Sequence, residues 1–399
     1  MGSLSSPPAA PRLFSRASLV LHAGFVVTGI VTTLLGPILP ILTSRWNLSD
    51  QRAGLFFTAQ FCGSMLGVAS LGWLMKRGYR RMFVIGFLLI AAGVAGLNLS
   101  GNFACLAAAG VFGCGLGQAI SATNLWVAEV AEANQVAALS ILNLTWGIGA
   151  LVSAPLVMLA QRHGATPLLL YAIAAFSALT ALILAAMHLE PRIAKEKEAS
   201  APQIREGIGI RSAVLLAGMF FLYVGCENSV AGWVATLTKR THPSAGDFWA
   251  LMPMFFWGGL LAGRALVPML PLRHRERRLV GGGLILAAAG LMLLLRARSF
   301  ESIAECVTAA GLGFAAIYPI LIAWLVKAYG EKSRRISAIM FALAGLGGAT
   351  MPWVVGFIST GTGSLRAGLL LPLAGCAAML ASMAAMREPL FRGGGNEHD

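Results

Sequence analysis

His188 to Ser212 reads HLEPRIAKEKEASAPQIREGIGIRS. It is the only long polar stretch in a chain of 399 residues that is 57% hydrophobic and 12% charged. A soluble globule carries about 25% charged residues, so that class is excluded. On both sides of the stretch the apolar residues come in runs of roughly twenty, the length a helix needs to cross the hydrocarbon of a bilayer. Only helices and closed barrels satisfy every backbone group there, and runs this long select helices over barrel strands.

Counting outward, the runs predict spans at 16–42, 53–75, 82–100, 103–130, 135–160 and 167–189 before the polar stretch. After it come 212–238, 247–271, 279–296, 301–327, 334–359 and 364–386. The expected fold is an all-α polytopic membrane protein of twelve transmembrane helices in two six-helix pseudo-repeat bundles. Residues 1–189 form the first bundle, 190–211 a cytoplasmic linker and 212–399 the second bundle. No separate soluble domain fits. The N-terminal MGSLSSPPAAPRLFSR is Pro-rich, and the first apolar run exceeds the roughly 7 to 15 residues of a cleaved signal core, so that run reads as a retained span.

The net charge of +14 is explained by where the basic residues sit. With both termini inside, twenty-one lysines and arginines fall on the inner side and eight on the outer, with Arg264 inside a span. That is the positive-inside bias, which predicts cytoplasmic termini and needs no nucleic-acid partner. The six cysteines, Cys62, Cys105, Cys114, Cys226, Cys306 and Cys376, all lie in apolar runs without a CxxC pair or a histidine at ligand spacing. They read as packing residues, and neither a metal nor a cofactor is expected.

Sliding the chain against itself by 198 positions superposes Gly113 on Gly311, Gly115 on Gly313 and Trp126 on Trp324. The same register carries Gly147 onto Gly345, Gly149 onto Gly347, Arg77 onto Arg275 and Arg80 onto Arg278. One shift that links a loop and two spans in each half indicates parallel repeats. Such repeats imply a site between the halves near the bilayer midplane.

The loop after span 2, GWLMKRGYRR (Gly72 to Arg81), is similar to the Gly-x-x-x-Asp-Arg-x-Gly-Arg-Arg signature of the major facilitator superfamily, with Lys76 in place of the acid. Three segments resemble the fucose permease-like sugar:proton symporters of that superfamily: FLYVGCENSVAGWVATL (221–237), IYPILIAW (317–324) and SAIMFALAGLGGATMPWVVGFIS (337–359). The resemblance implies alternating access, a monosaccharide substrate, proton symport and no enzymatic activity. It also places Asn143, within LSILNLTWG, where that group carries a sugar-contacting glutamine. The acids of spans 1 and 4 that couple protons in the fucose permease are absent, with Ile120 at the second position. Sodium coupling or no coupling therefore stays open.

An acid at the centre of a bilayer costs roughly 2.5 to 3.5 kcal/mol and normally faces a partner or a cavity. Glu227, in the middle of span 7 beside Asn228, is the candidate proton carrier and substrate acceptor. The rival reading is a permanently protonated residue that glues helices. Asn143 and Trp146, three apart in span 5, pair an amide with an aromatic plate, the combination that hydroxyls and a sugar's C–H face require. Tyr318 precedes Pro319, and a proline frees a carbonyl in a manner typical of cavity-lining helices. Gln60, Gln118, Asn124 and Trp257 complete the candidate substrate contacts, although amides also serve as interhelical bonds and Trp233 and Trp324 as interface anchors. Glu129 superposes on Lys327 at the inner ends of spans 4 and 10, which suggests a gate or bridge between the halves. Arg77, Arg81 and Arg264 belong to the same gating or structural set. His22 reads as a neutral buried residue, and Thr28 and Thr32 as backbone-bonded packing positions.

These features predict a secondary transporter of a small polar solute, monomeric, in the lipid bilayer of a bacterial inner membrane. Export of amphipathic compounds is the alternative, weakened because span 5 reads GIGALVSAPL without the Gly-Pro signature of drug antiporters. A non-transporting scaffold is the third. The sequence lacks GxxxxGK[ST], HExxH and GxSxG, which argues against an ATP-driven pump or a hydrolase.

Overall fold

The computed structural model describes residues 16–131, 134–187, 210–267, 276–329 and 333–386. The first run is two helices, α1 (Arg16–Thr33) and α2 (Leu35–Trp46). They break at Leu34 because Pro37 has no N–H to give to the carbonyl four residues back. Next come α3 (Asp50–Met75), α4 (Tyr79–Gly96), α5 (Asn102–Val130), α6 (Gln135–Arg162) and α7 (Thr166–Ala186). The second half opens with α8 (Ile210–Thr241), a 3-10 helix (Pro243–Leu251) and α9 (Met252–Leu266). It continues through α10 (Glu276–Leu294), α11 (Phe300–Phe314), α12 (Ile317–Tyr329), α13 (Ser333–Thr362), α14 (Leu365–Gly368) and α15 (Leu370–Ala385). Pro319 separates α11 from α12 as Pro37 separates α1 from α2.

Among the described residues, eleven helical segments are long and apolar enough to cross a membrane, with α11–α12 and α14–α15 each counted as one. The remaining expected span is the 3-10 helix with α9, whose α-helical part is only 15 residues long. The twelve-span fold therefore stands, and the expected limits agree with the helices to within a few residues at most ends. Nearly all of the linker expected at 190–211 lies outside the described residues.

The sequence repeat is also a packing repeat. Close helix crossings need residues without a Cβ, and glycines one repeat apart make equivalent crossings. Gly113 of α5 lies against the Gln60 carbonyl of α3, as Gly311 of α11 lies against the Phe256 carbonyl of α9. Gly149 of α6 lies against the Val26 carbonyl of α1, as Gly347 of α13 lies against that of Phe221 in α8. A side chain at any of these positions would collide with backbone, which has nowhere to move.

We term the end carrying the start of α1 the near end, and the opposite end, carrying 47–49 and Ser364, the far end. Contacts between the two sets of helices gather at the far end and the middle. There α2 packs on α8, α6 on α9 and the 3-10 helix, and α3 along α13. At the near end α5 and α12 make no substantial contact. Among the described residues, the contacts that join the two sets of helices therefore lie at the far end and in the middle.

The far-end seal is polar. Asp50, the first residue of α3 and only 7% exposed, accepts two hydrogen bonds from the Arg240 guanidinium at the end of α8 and one from the Ser359 hydroxyl of α13. The Gln51 backbone N–H donates to Thr360 Oγ1 at 2.9 Å, and Lys239 Nζ donates to Ser44 Oγ at 3.0 Å. Each of these bonds joins the first set of helices to the second.

Candidate functional site

Two clusters of polar and aromatic side chains occupy the middle of the bundle. The first is a small cavity lined by Thr32 of α1, Gln60 of α3, Asn228 of α8 and Trp257 of α9. Gln60 donates through Nε2 to the Thr32 carbonyl at 3.1 Å, while its Oε1 is buried with no hydrogen bond. Asn228 donates to the Val224 carbonyl of its own helix at 2.9 Å, which leaves its carbonyl oxygen free of that bond. Trp146 of α6 meets Trp257 edge-on with ring centroids 5.7 Å apart, so an aromatic pair bridges the halves beside the cavity.

The second cluster surrounds Glu227, which is 7% exposed at the middle of α8. Tyr223 lies one turn away on the same face. Its ring stacks on that of Tyr318 from α12 at 5.4 Å, and its hydroxyl is buried without a hydrogen bond. Arg264 from α9 faces Glu227 and both tyrosines. It is partly buried, its Nε makes no hydrogen bond, and it forms no ion pair within 4 Å among the described residues. An acid, a guanidinium and two phenols thus share one space without closing into a tight pair.

Asn143 is exposed one turn from Trp146 on the same face of α6, towards the near end. Leu261 of α9 packs over Gly147. The two helices run antiparallel, so Asn143 and Arg264 each lie about one turn from that contact, towards the near end.

Other expected contacts lie elsewhere. Gln118 is buried and donates to the Met82 carbonyl of α4 at 3.1 Å, so it ties helices within the first half. Asn124 donates to the Ile120 carbonyl of its own helix at 2.8 Å. Glu129 accepts from the Tyr79 hydroxyl, and Lys327 bonds to Glu276, which also accepts from Trp324 Nε1 at 2.8 Å. The expected bridge between Glu129 and Lys327 is therefore not made in this conformation. Each has its partner inside its own half, Glu129 a neutral phenol and Lys327 a carboxylate. Arg77 covers the Trp73 ring at 3.9 Å and Arg81 is exposed, so neither joins the halves here. Arg264, grouped with the gating residues by sequence, sits instead beside Glu227. Trp233 is buried and bonded to the Pro352 carbonyl at 2.8 Å, His22 bonds to the Ser18 carbonyl, and Thr28 and Thr32 bond to their own helix.

Tyr223 and the Asp50–Arg240–Ser359 latch were not singled out from the sequence. The signal for Tyr223 was its i−4 spacing from Glu227. No signal was available for the latch, whose members are 119 to 309 positions apart.

Two related six-span halves around a polar centre are an architecture found in membrane carriers. The chain belongs to the Major Facilitator Superfamily, whose model matches residues 21–295, and it is a multi-pass membrane transporter of that family. An uncharacterised MFS-type transporter of Enterobacter sp. (strain 638) is 31% identical over 91 residues, 23% of this chain and 24% of that protein. The match thus spans about a quarter of that relative's length. The crystal structure of a D-xylose-proton symporter superposes with a TM-score of 0.75 at 17% identity, covering 91% of this chain and 95% of that one. The transporter FucP in an outward conformation gives 0.61 at 17% identity, covering 92% and 97%. Likeness at this identity carries the fold alone.

Proposed function

We propose that the chain is a secondary active transporter that moves a small polar solute, a monosaccharide foremost, by alternating access with proton coupling through Glu227. The observation that carries this reading is the burial of a carboxyl at the centre of α8, facing a guanidinium and two phenols, next to a cavity shared by both halves. A carboxyl there is stabilised in its neutral form by low dielectric and in its charged form by Arg264, so a modest change in its surroundings moves its proton. Gln60, Asn228 and Asn143 supply directional polar groups, and the Trp146–Trp257 pair supplies an apolar plate. Asn143 also matches the sugar-contacting position of the group the motifs resemble.

The bias of the basic residues supports an orientation with the near end and both termini on the cytoplasmic side of a bacterial inner membrane. Counterflow in proteoliposomes across a panel of sugars tests the substrate class. If no sugar exchanges, the substrate reading is wrong. Glu227→Gln tests the coupling: solute exchange is retained while accumulation driven by a pH gradient is lost. Gradient-driven accumulation at the wild-type level in that variant would remove Glu227 from the mechanism.

A further inference from the structure

We propose that the transported solute is an anion, a hydroxylated monocarboxylate of the sugar-acid type, and that Arg264 holds its carboxylate. This deepens the reading above and rests on it. Hydrogen-bond donors crowd the space around Glu227. Arg264 brings five N–H donors, and Tyr223 and Tyr318 each bring a hydroxyl. Beside the Arg264 guanidinium and the two phenols, the one carboxylate among the described residues is that of Glu227. Arg264 Nε is buried with no hydrogen bond, and the Tyr223 hydroxyl, set between Glu227 and Arg264, lacks a close hydrogen bond to either.

Charge points the same way. A guanidinium inside a span normally lies against a counter-ion, and Arg264 has none within 4 Å among the described residues. When Glu227 carries the coupled proton, the positive charge of Arg264 is left unbalanced. A neutral sugar cannot balance it; a carboxylate does, and its two oxygens match the guanidinium fork. The charged and titratable groups facing Glu227 are Tyr223 from its own helix, Arg264 from α9 and Tyr318 from α12.

The placement of the polar groups sets the shape of the solute. Trp257 and Arg264 are seven residues apart on one face of α9, about 10 Å along the axis. A solute lying between them puts its carboxylate on Arg264 and its hydroxylated body beside Gln60, Asn228 and the aromatic pair. One proton on Glu227 moving with one carboxylate on Arg264 makes the loaded centre electrically equivalent to the empty one, in which Glu227 is ionised and faces Arg264. Both forms can then cross the membrane without carrying a net charge.

The test is ligand binding to the purified full chain, by thermal shift and calorimetry, with D-glucuronate and D-gluconate against D-glucose and D-fucose. A sugar acid is expected to stabilise the protein where its neutral counterpart does not. Arg264→Gln is expected to weaken that binding roughly 10- to 100-fold, the loss of a charge-assisted pair. Should Arg264→Gln fail to fold, Arg264→Lys keeps the charge and loses the fork, and Tyr223→Phe removes one donor; each is expected to lower sugar-acid affinity by several-fold. Neutral sugars binding as well as their acids, or sugar-acid affinity unchanged in every one of these variants, overturns the anion proposal while the monosaccharide reading stands. Binding of neither class overturns both.

Discussion

Replacing Asp50 with asparagine keeps the shape of the far-end latch and removes its charge. In the closed form the carboxylate accepts two bonds from Arg240 and one from Ser359. A hydrogen bond to a charged group contributes about 1.5 to 3 kcal/mol, and stripping one partner from a buried pair costs about 3 to 5 kcal/mol. Arg240 is 45% exposed and recovers water when freed, so the net loss falls at the low end, about 2 to 3 kcal/mol. Because Asp50 lies in the first half and Arg240 and Ser359 in the second, the loss applies to the conformer with the far end shut. The ratio of shut to open far ends should therefore fall roughly 30- to 150-fold. Double electron–electron resonance between labels at Ser100 and Arg298, in a cysteine-free background, reads this directly. The wild type should show one short distance, and Asp50→Asn a substantial longer population. Ser359→Ala should give a smaller shift of the same sign, and the double exchange Asp50→Arg with Arg240→Asp should restore the short distance. An unchanged distance distribution in Asp50→Asn would mean that apolar packing of α2, α3 and α13 alone holds the far end shut.

Four further outcomes are expected. Gly149→Val drives a side chain into the Val26 carbonyl and should destabilise the fold by at least the roughly 1 to 3 kcal/mol of an overpacked core, read as a lower melting temperature. Gly72→Ala, with open space around it, should be silent in the same assay. Trp146→Leu removes the edge-on contact with Trp257, worth about 0.5 to 1.5 kcal/mol, and should weaken solute binding roughly 2- to 12-fold while leaving the pH dependence of transport intact. Glu276→Gln frees Lys327, which is about half exposed, and should change stability by no more than about 1 kcal/mol and transport not at all. A large transport defect in Glu276→Gln would restore Lys327 to a gating role.

The difference between what was legible and what was not follows from dimension. Span number, span limits and the register of the repeat depend on the order of residues along one line, and helices form wherever roughly twenty apolar residues follow one another. Gly113 and Gly311 could be matched by counting, and they pack alike because a missing Cβ has the same consequence in both halves. Glu227 could be singled out because an acid in an apolar run is anomalous wherever the helix turns.

The direction each polar side chain faces depends on the rotation of its helix and on its neighbours. Gln60 and Gln118 read alike in the sequence, yet one lines the central cavity and the other ties α5 to α4. Glu129 and Lys327 match by repeat and meet different partners. Arg264 looked like a gating charge until α9 was set beside α8. By itself, then, the sequence determined a twelve-span, two-fold-repeated membrane protein with one acid at its centre. Only the tertiary structure decided that Arg264, Tyr223 and Tyr318 surround that acid, and that Asp50 and Arg240 shut the far end. Side chains from distant segments meet only where packing brings their helices together.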